Sequence, residues 1–380
     1  MARRPVFQDV TEEIRSAAPQ GGMIDTAPKG ARRAIRLWLG VIFVLLVVMI
    51  ALGGATRLTG SGLSITEWRP VTGALPPMDA ATWQAEFAKY QEIPQYQLQN
   101  SDMTLDGFKQ IYWWEWAHRQ LGRVIGLVWA LGFLFFWATK RIPAGWAGRL
   151  ILPGALGAVQ GAIGWWMVSS GLTGDAVRVA SYRLALHLGL AFVILGLLAW
   201  YMLLLSRSEA DLLRARRAGD AGLFGMATGL THWTWLQVLL GALVAGIDAG
   251  RQYTGWPTMG GEWIPAAIWD GTLGWRNFFE NPALVQFIHR MNGYLLLVFA
   301  VVVWLQSRRS PHPVTRGAFT VVLVAMTVQV GLGVLNVLHG SPLGEALAHQ
   351  LMAVVLFALV IRARFHARYP YETSVRGTIR

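Results

Sequence analysis

The sequence predicts an all-α integral membrane protein whose eight transmembrane helices form two tandem four-helix bundles related by a pseudo-two-fold axis. Three observations carry this expectation. The 380 residues are 54% hydrophobic and only 14% charged, with a mean hydropathy of +0.40, which excludes a soluble globular enzyme. Crossing the hydrocarbon takes about 20 apolar residues, and such stretches occur at 37–55, 112–138, 150–168, 184–205, 225–247, 283–306, 318–338 and 343–361. Short motifs also recur in the same order in the two halves of the chain.

The first span follows a basic segment, residues 1–36, which lacks an apolar run and contains Asp9, Glu12, Glu13 and Asp25. That composition fits neither a cleaved signal peptide nor a mitochondrial presequence. An even number of spans puts both termini on one side. With the N-terminus inside, the inner segments 1–36, 140–149, 206–217, 307–316 and 362–380 hold 22 of the 33 basic residues. The positive-inside rule therefore puts both ends in the cytoplasm of a bacterial inner membrane. The formal net charge of +12 is thereby read as topology rather than as affinity for nucleic acid. Two long outer loops, 57–110 and 248–282, carry Trp68, Trp83, Trp256, Trp263, Trp269 and Trp275, which suit a headgroup layer or a cover over a site.

The repeat defines the domains. Val159-Gln160-Gly161-Ala162-Ile163-Gly164 in the third span matches Val328-Gln329-Val330-Gly331-Leu332-Gly333 in the seventh. Glu115-Trp116-Ala117-His118-Arg119 in the second matches Gln286-Phe287-Ile288-His289-Arg290 in the sixth. Ala185-Leu186-His187-Leu188 matches Leu347-Ala348-His349-Gln350. A four-span unit re-enters the membrane in its original orientation, so the repeat is parallel. The expected units are a cytoplasmic segment 1–36, a bundle 37–205, a cytoplasmic linker 206–224, a second bundle 225–361 and a cytoplasmic tail 362–380.

Of the eight histidines, His312 and His366 fall in inner segments, His339 ends a helix, and His232 in the fifth span has an ordinary hydrogen-bonding role by default. The other four, His118, His187, His289 and His349, sit about five to seven residues into spans that enter from outside, roughly 8 to 10 Å deep. Polar groups at matched depth need a partner or a cavity. Zero cysteines exclude disulfides, Fe–S clusters, thiolate-ligated haem and covalent c-type haem. Two imidazoles on facing helices are the usual axial set for a b-type haem, whereas zinc needs further ligands. The expected pairs are His118 with His187 and His289 with His349. Arg119 and Arg290 are candidate contacts for haem propionates, with snorkelling to the interface as the alternative.

One asymmetry points to chemistry. Glu115 lies one helical turn from His118, while the second half has Gln286 there. A carboxylate in a membrane helix costs up to about 3 kcal/mol at mid-membrane and is functional by default. The alternative is an interfacial glutamate bonded by a tryptophan of Tyr112-Trp113-Trp114. The first site is thus expected to do chemistry and the second to move or store electrons.

These residues, together with Gly60-Ser61-Gly62-Leu63-Ser64, Glu67-Trp68-Arg69-Pro70, Val159-Gln160, His289-Arg290-x-Asn292-Gly293 and His349-Gln350, resemble the haem A synthase family over about 35–361. The resemblance implies oxidation of the C8 methyl group of haem O to the formyl group of haem A, for cytochrome oxidase. It implies His118 and His187 as ligands of the substrate haem, Glu115 as catalytic acid or base, and His289 and His349 as ligands of a permanent haem b. Some family members carry a cysteine pair in the first outer loop. This chain has none and resembles the cysteine-free proteobacterial and mitochondrial branch. The expected oxygen source is water, and the expected partners are membrane lipid, a haem O synthase and cytochrome oxidase assembly factors, with a homo-oligomer compatible. A dihaem b-type cytochrome passing electrons from quinol is the competing function, and a haem chaperone or transporter the third.

Overall fold

The computed structural model describes residues 31–371, so most of the cytoplasmic segment 1–36 and the end of the tail 362–380 lie outside the described residues. Within them the chain is helical, with no strand. It forms α1 (Ala31–Leu58), α2 (Ala80–Gln91), α3 (Pro94–Gln99), α4 (Leu105–Ala138), α5 (Ala147–Ser169), α6 (Ser181–Leu205), α7 (Glu209–Arg217), α8 (Ala221–Gly246), α9 (Asn277–Glu280), α10 (Pro282–Ser307), α11 (Pro313–Leu338) and α12 (Leu343–Arg368).

Local signals set the helix starts. The Thr104 side chain accepts from Gly107 N at the start of α4, Asp220 from Leu223 N at α8, and Asn281 from Ala283 N and Leu284 N at α10. Pro282 and Pro313 occupy first-turn positions, where a missing N–H costs nothing. Seven long helices, α1, α4, α5, α6, α10, α11 and α12, are long and apolar enough to cross a membrane. The expected fifth span is α8, 26 residues long like α10 to α12, but diluted by Thr228, Thr231, His232, Thr234 and Gln237.

Two boundaries differ from the sequence expectation. The second span begins at Leu105 rather than 112, because its aromatic first turns pack against α2 as part of the outer cap. At 34 residues α4 is about 51 Å long, well beyond a hydrocarbon core of about 30 Å. The linker 206–224 contains α7, capped by Ser208 and ending in Arg214, Arg216 and Arg217, an arrangement that suits its dipole.

In the first half α1 packs on α4 and α6, and α5 on α4 and α6; in the second, α8 packs on α10 and α12, and α11 on α10 and α12. The halves meet where α6 lies on α8 and α12, and where α1 lies on α12. Val354, Phe357 and Ile361 of α12 accordingly join the core built from Ile35, Leu39, Phe192 and Leu195 of α1 and α6. Apolar burial gives no drive between helices in lipid, so close packing and interhelical hydrogen bonds do that work. Three indoles supply such bonds: Trp38 Nε1 donates to Val128 O (3.0 Å), Trp129 to Leu150 O (3.0 Å) and Trp235 to Gly189 O (2.9 Å).

The first outer loop is a built cap. Leu63, Ile65, Phe87, Tyr90, Ile93, Phe108 and Tyr112 form an apolar cluster of their own above α4 and α5. Trp83 belongs to it, stacked edge-on against Tyr112 with ring centroids 5.0 Å apart, whereas Trp68, Trp256, Trp263, Trp269 and Trp275 are exposed. At the outer end of the joint between halves, Arg57 of α1 donates to Ala245 O (2.7 Å) and Gly246 O (3.1 Å) of α8 and pairs with Asp248 (3.3 Å), which also holds Arg178 (2.8 Å). Arg57→Ala orphans two carbonyls and weakens that ion pair. We expect a loss of roughly 1–3 kcal/mol, read as a lower apparent melting temperature in detergent, with Arg57→Lys losing less.

Candidate functional site

His187, His289 and His349 are the seventh, eighth and seventh residues of α6, α10 and α12, but His118 is the fourteenth of α4, because α4 begins early. The expected pairs come together: His118 and His187 stand within electrostatic reach of each other, as do His289 and His349. All four keep intermediate exposure although they lie within long apolar helices. His118 Nδ1 and His187 Nδ1 are buried with no hydrogen-bond partner.

Each imidazole is seated edge-on against a glycine of the neighbouring helix. A Cβ built on Gly53 of α1 would stand 2.9 Å from His118 Cε1, and one on Gly164 of α5 would stand 2.9 Å from His187 Cε1. In the second half the distances are 3.1 Å from Gly241 of α8 to His289 and 2.9 Å from Gly333 of α11 to His349. Only a residue without a side chain allows so close an approach. The four glycines occupy α1, α5, α8 and α11, corresponding positions in the two repeats.

One turn before three of these glycines is a glutamine that grips the facing histidine's backbone. Gln160 Nε2 donates to His187 O (2.9 Å), Gln237 Nε2 to His289 O (3.0 Å) and Gln329 Nε2 to His349 O (3.1 Å). The Gln237 and Gln329 amides also reach the ring Nδ1, at 3.1 and 3.2 Å. Sequence reasoning missed Gln237 and Gly241, although Gln-x-x-x-Gly is legible at 160–164, 237–241 and 329–333.

The α1 helix lies between the two sites. Adjacent Gly53 and Gly54 carry His118 and the Gln350 side chain respectively, and Gln350 Nε2 donates to Ile50 O (2.6 Å). Gln350 directly follows His349, so a single turn of α1 touches His118 of one pair and the chain neighbour of His349 in the other.

Glu115 and the two arginines fasten the outer loops. Glu115 is buried. Its Oε1 accepts from Arg119 Nη2 (2.6 Å) and Nε (3.0 Å), and its Oε2 from Ser64 Oγ (2.8 Å) and Ile65 N (2.9 Å). The tryptophan partner weighed from the sequence is not among these donors. Arg119 also donates to Ile65 O (2.7 Å) and Glu67 O (2.9 Å). In the second half Arg290 donates to Gly255 O and Tyr253 O (both 2.9 Å), and Gln286 to Tyr253 O (3.0 Å). The donors expected for propionates are therefore engaged with loop carbonyls in both halves.

Of the remaining four histidines, His366 is buried with its Nδ1 unpartnered and the other three make ordinary contacts. His232 Nδ1 lies 2.8 Å from Thr228 O, His339 pairs with Glu345 at 2.7 Å, and His312 Nε2 lies 3.3 Å from Ala218 O. Among the described residues no three His, Asp or Glu side chains gather into a metal-binding cluster. Paired imidazoles with glycine-lined flanks in both halves, and in the first half two ring nitrogens without a partner, fit two histidines to each of two flat macrocycles. Gly333→Ala or Gly241→Ala displaces its histidine; we expect the loss of one bis-histidine haem spectrum with the other retained. Gly53→Ala and Gly164→Ala should give the reverse pattern.

Comparison with known proteins gives the family. The family model described as COX15-CtaA, cytochrome oxidase assembly protein, matches residues 36–361. The chain is 75% identical over 381 residues to the Heme A synthase of Paracoccus denitrificans (strain Pd 1222), covering 100% of both chains. It is 60% identical to that of Ruegeria sp. (strain TM1040) and 61% to that of Ruegeria pomeroyi, in each case over 99% of this chain and 100% of the relative. With four histidines on a repeated helical scaffold and a family match across that whole scaffold, the chain belongs to the COX15-CtaA family of cytochrome oxidase assembly proteins.

Proposed function

We propose that this protein is a haem A synthase. It takes haem O as substrate and oxidises its C8 methyl group to a formyl group, with His118 and His187 as axial ligands of the substrate and His289 and His349 as ligands of a resident haem b. The observation that carries the assignment is the pair of glycine-seated histidine sites, of which only the first is backed by a carboxylate. The names of the relatives agree with it. When bound, haem b supplies a one-electron redox centre.

Converting a methyl to a formyl group with water releases four electrons and four protons, as two successive two-electron oxidations through a geminal diol on the substrate. Two histidines on the substrate iron leave no axial position for O₂, which favours oxidation at the porphyrin edge. Glu115, one turn from His118 and ion-paired with Arg119, stabilises positive charge developing there and orients water. Arg119 and Arg290 hold the loops that close the two sites, and their guanidiniums stand there as candidate contacts for haem propionates. The Gly53-Gly54 turn of α1, touching both sites, keeps them close enough for electrons to pass between them.

We assign α8 as the eighth span, which places both termini in the cytoplasm of a bacterial inner membrane and the histidine sites near its periplasmic side, in line with 22 of 33 basic residues falling in the inner segments. A haem O synthase delivers the substrate, and cytochrome oxidase assembly factors receive the product; a homo-oligomer is compatible with this.

Expression with a haem O source, followed by haem extraction, tests the assignment. Haem O or haem A recovered alongside haem B is the expected result; haem B alone indicates an electron-passing cytochrome. Glu115→Gln copies the Gln286–Arg290 arrangement already present in the second half, so the variant should fold and keep haem b. Its conversion of haem O should fall about 100-fold or more, and full conversion would remove Glu115 from the mechanism.

A further inference from the structure

The helices α1 and α8 are equivalent in the repeat, and their registers align Gly53 with Gly241. One turn earlier Gln237 aligns with Met49, the one position of the four where no glutamine grips the facing histidine. Met49 occupies the same place in space: its Cε lies 3.5 Å from a Cβ built on Gly122 of α4, as Gln237 Nε2 lies 3.2 Å from one built on the equivalent Gly293 of α10. The difference extends behind it. Asn292 Nδ2 donates to Gln237 Oε1 (2.5 Å), and Trp233 Nε1 to Asn292 Oδ1 (2.9 Å). The corresponding first-half residues are Leu45 for Trp233 and Leu121 for Asn292.

His289 is thus backed by a continuous chain, Trp233–Asn292–Gln237, ending on its backbone carbonyl. In the first half the aligned positions hold the apolar Leu45, Leu121 and Met49, and His118 Nδ1 has no partner. A polar grip on the residue that carries a metal ligand fixes where its ring stands, and removing an outer-shell partner of a ligand typically costs 10–100-fold in metal affinity.

We propose that Met49 is a positioning residue that makes the first site exchangeable: by leaving His118 ungripped it lets substrate and product haem leave, while Gln237 and its chain make the second site permanent. This rests on the assignment of the first pair to substrate and the second to haem b. It adds the device by which one duplicated scaffold holds one macrocycle loosely and the other tightly.

The test moves the glutamine between sites. Met49→Gln needs no further change, because Gln160 and Gln329 already stand with an unpartnered Oε1. Haem release from the detergent-purified protein to excess apomyoglobin is followed optically, with extracted haem types identified at each time point. The expected results are release of haem O and haem A slowed about 10-fold or more in Met49→Gln, and release of haem B accelerated to a similar extent in Gln237→Met. Gln237→Met should also shift the low-spin electron paramagnetic resonance g values of haem b, a change that general loosening of the fold would not confine to one site. Unchanged release rates in both variants, with the unaltered protein still releasing haem O and A faster than haem B, overturn this inference and leave the synthase assignment standing. Equal release of every haem from the unaltered protein overturns it as well, and a preparation containing haem B alone counts against the assignment beneath it.

Discussion

The fold depends on one close contact made four times. An imidazole edge lies on the Cα of a glycine one helix away, at a distance where a Cβ would stand about 3 Å from the ring. This contact brings α1 onto α4, α5 onto α6, α8 onto α10 and α11 onto α12 at the depth of the histidines. In lipid, where apolar surface gives no drive to associate, small residues and polar side chains are what draw helices together. The glycine–histidine contacts supply both at one point, so building the sites and packing the bundle are the same act. Because the unit is duplicated, a single solution for holding a macrocycle was available twice.

Duplication then allowed divergence at few positions. The second half backs His289 with Gln237, Asn292 and Trp233, and braces its outer loop with the neutral Gln286. The first half has Met49, Leu121 and Leu45 at the aligned positions and braces its loop with the Glu115–Arg119 ion pair. Polar rigidity is therefore concentrated behind one histidine pair and negative charge beside the other.

Much of this was legible in the sequence because the membrane simplifies the code. Long apolar runs gave the helices, and four histidines stood out against an apolar background with their repeat partners in order. What was not legible belongs to other constraints. The helix that carries the second span starts at Leu105, ahead of the apolar stretch 112–138, because the turns around Phe108 and Tyr112 pack into the outer cap. The equivalence of α1 with α8 was hidden because Met49 and Gln237 share no chemistry, so Gln-x-x-x-Gly was seen only in the third and seventh spans. The arginines beside His118 and His289 were considered as propionate contacts or as snorkelling to the interface. Backbone carbonyls of an irregular loop, invisible in a string of residue names, accept from both of them.

The central claim is that the four histidines act as two pairs, each within one bundle. Electron paramagnetic resonance of the haem-loaded protein, recorded for the single alanine variants of His118, His187, His289 and His349, tests it most directly. The account requires that the His289 and His349 variants lose the same low-spin signal, and that the His118 and His187 variants lose the other. Loss of one signal on replacing one histidine from each half would mean that the irons are held across the joint between the bundles, and would contradict it.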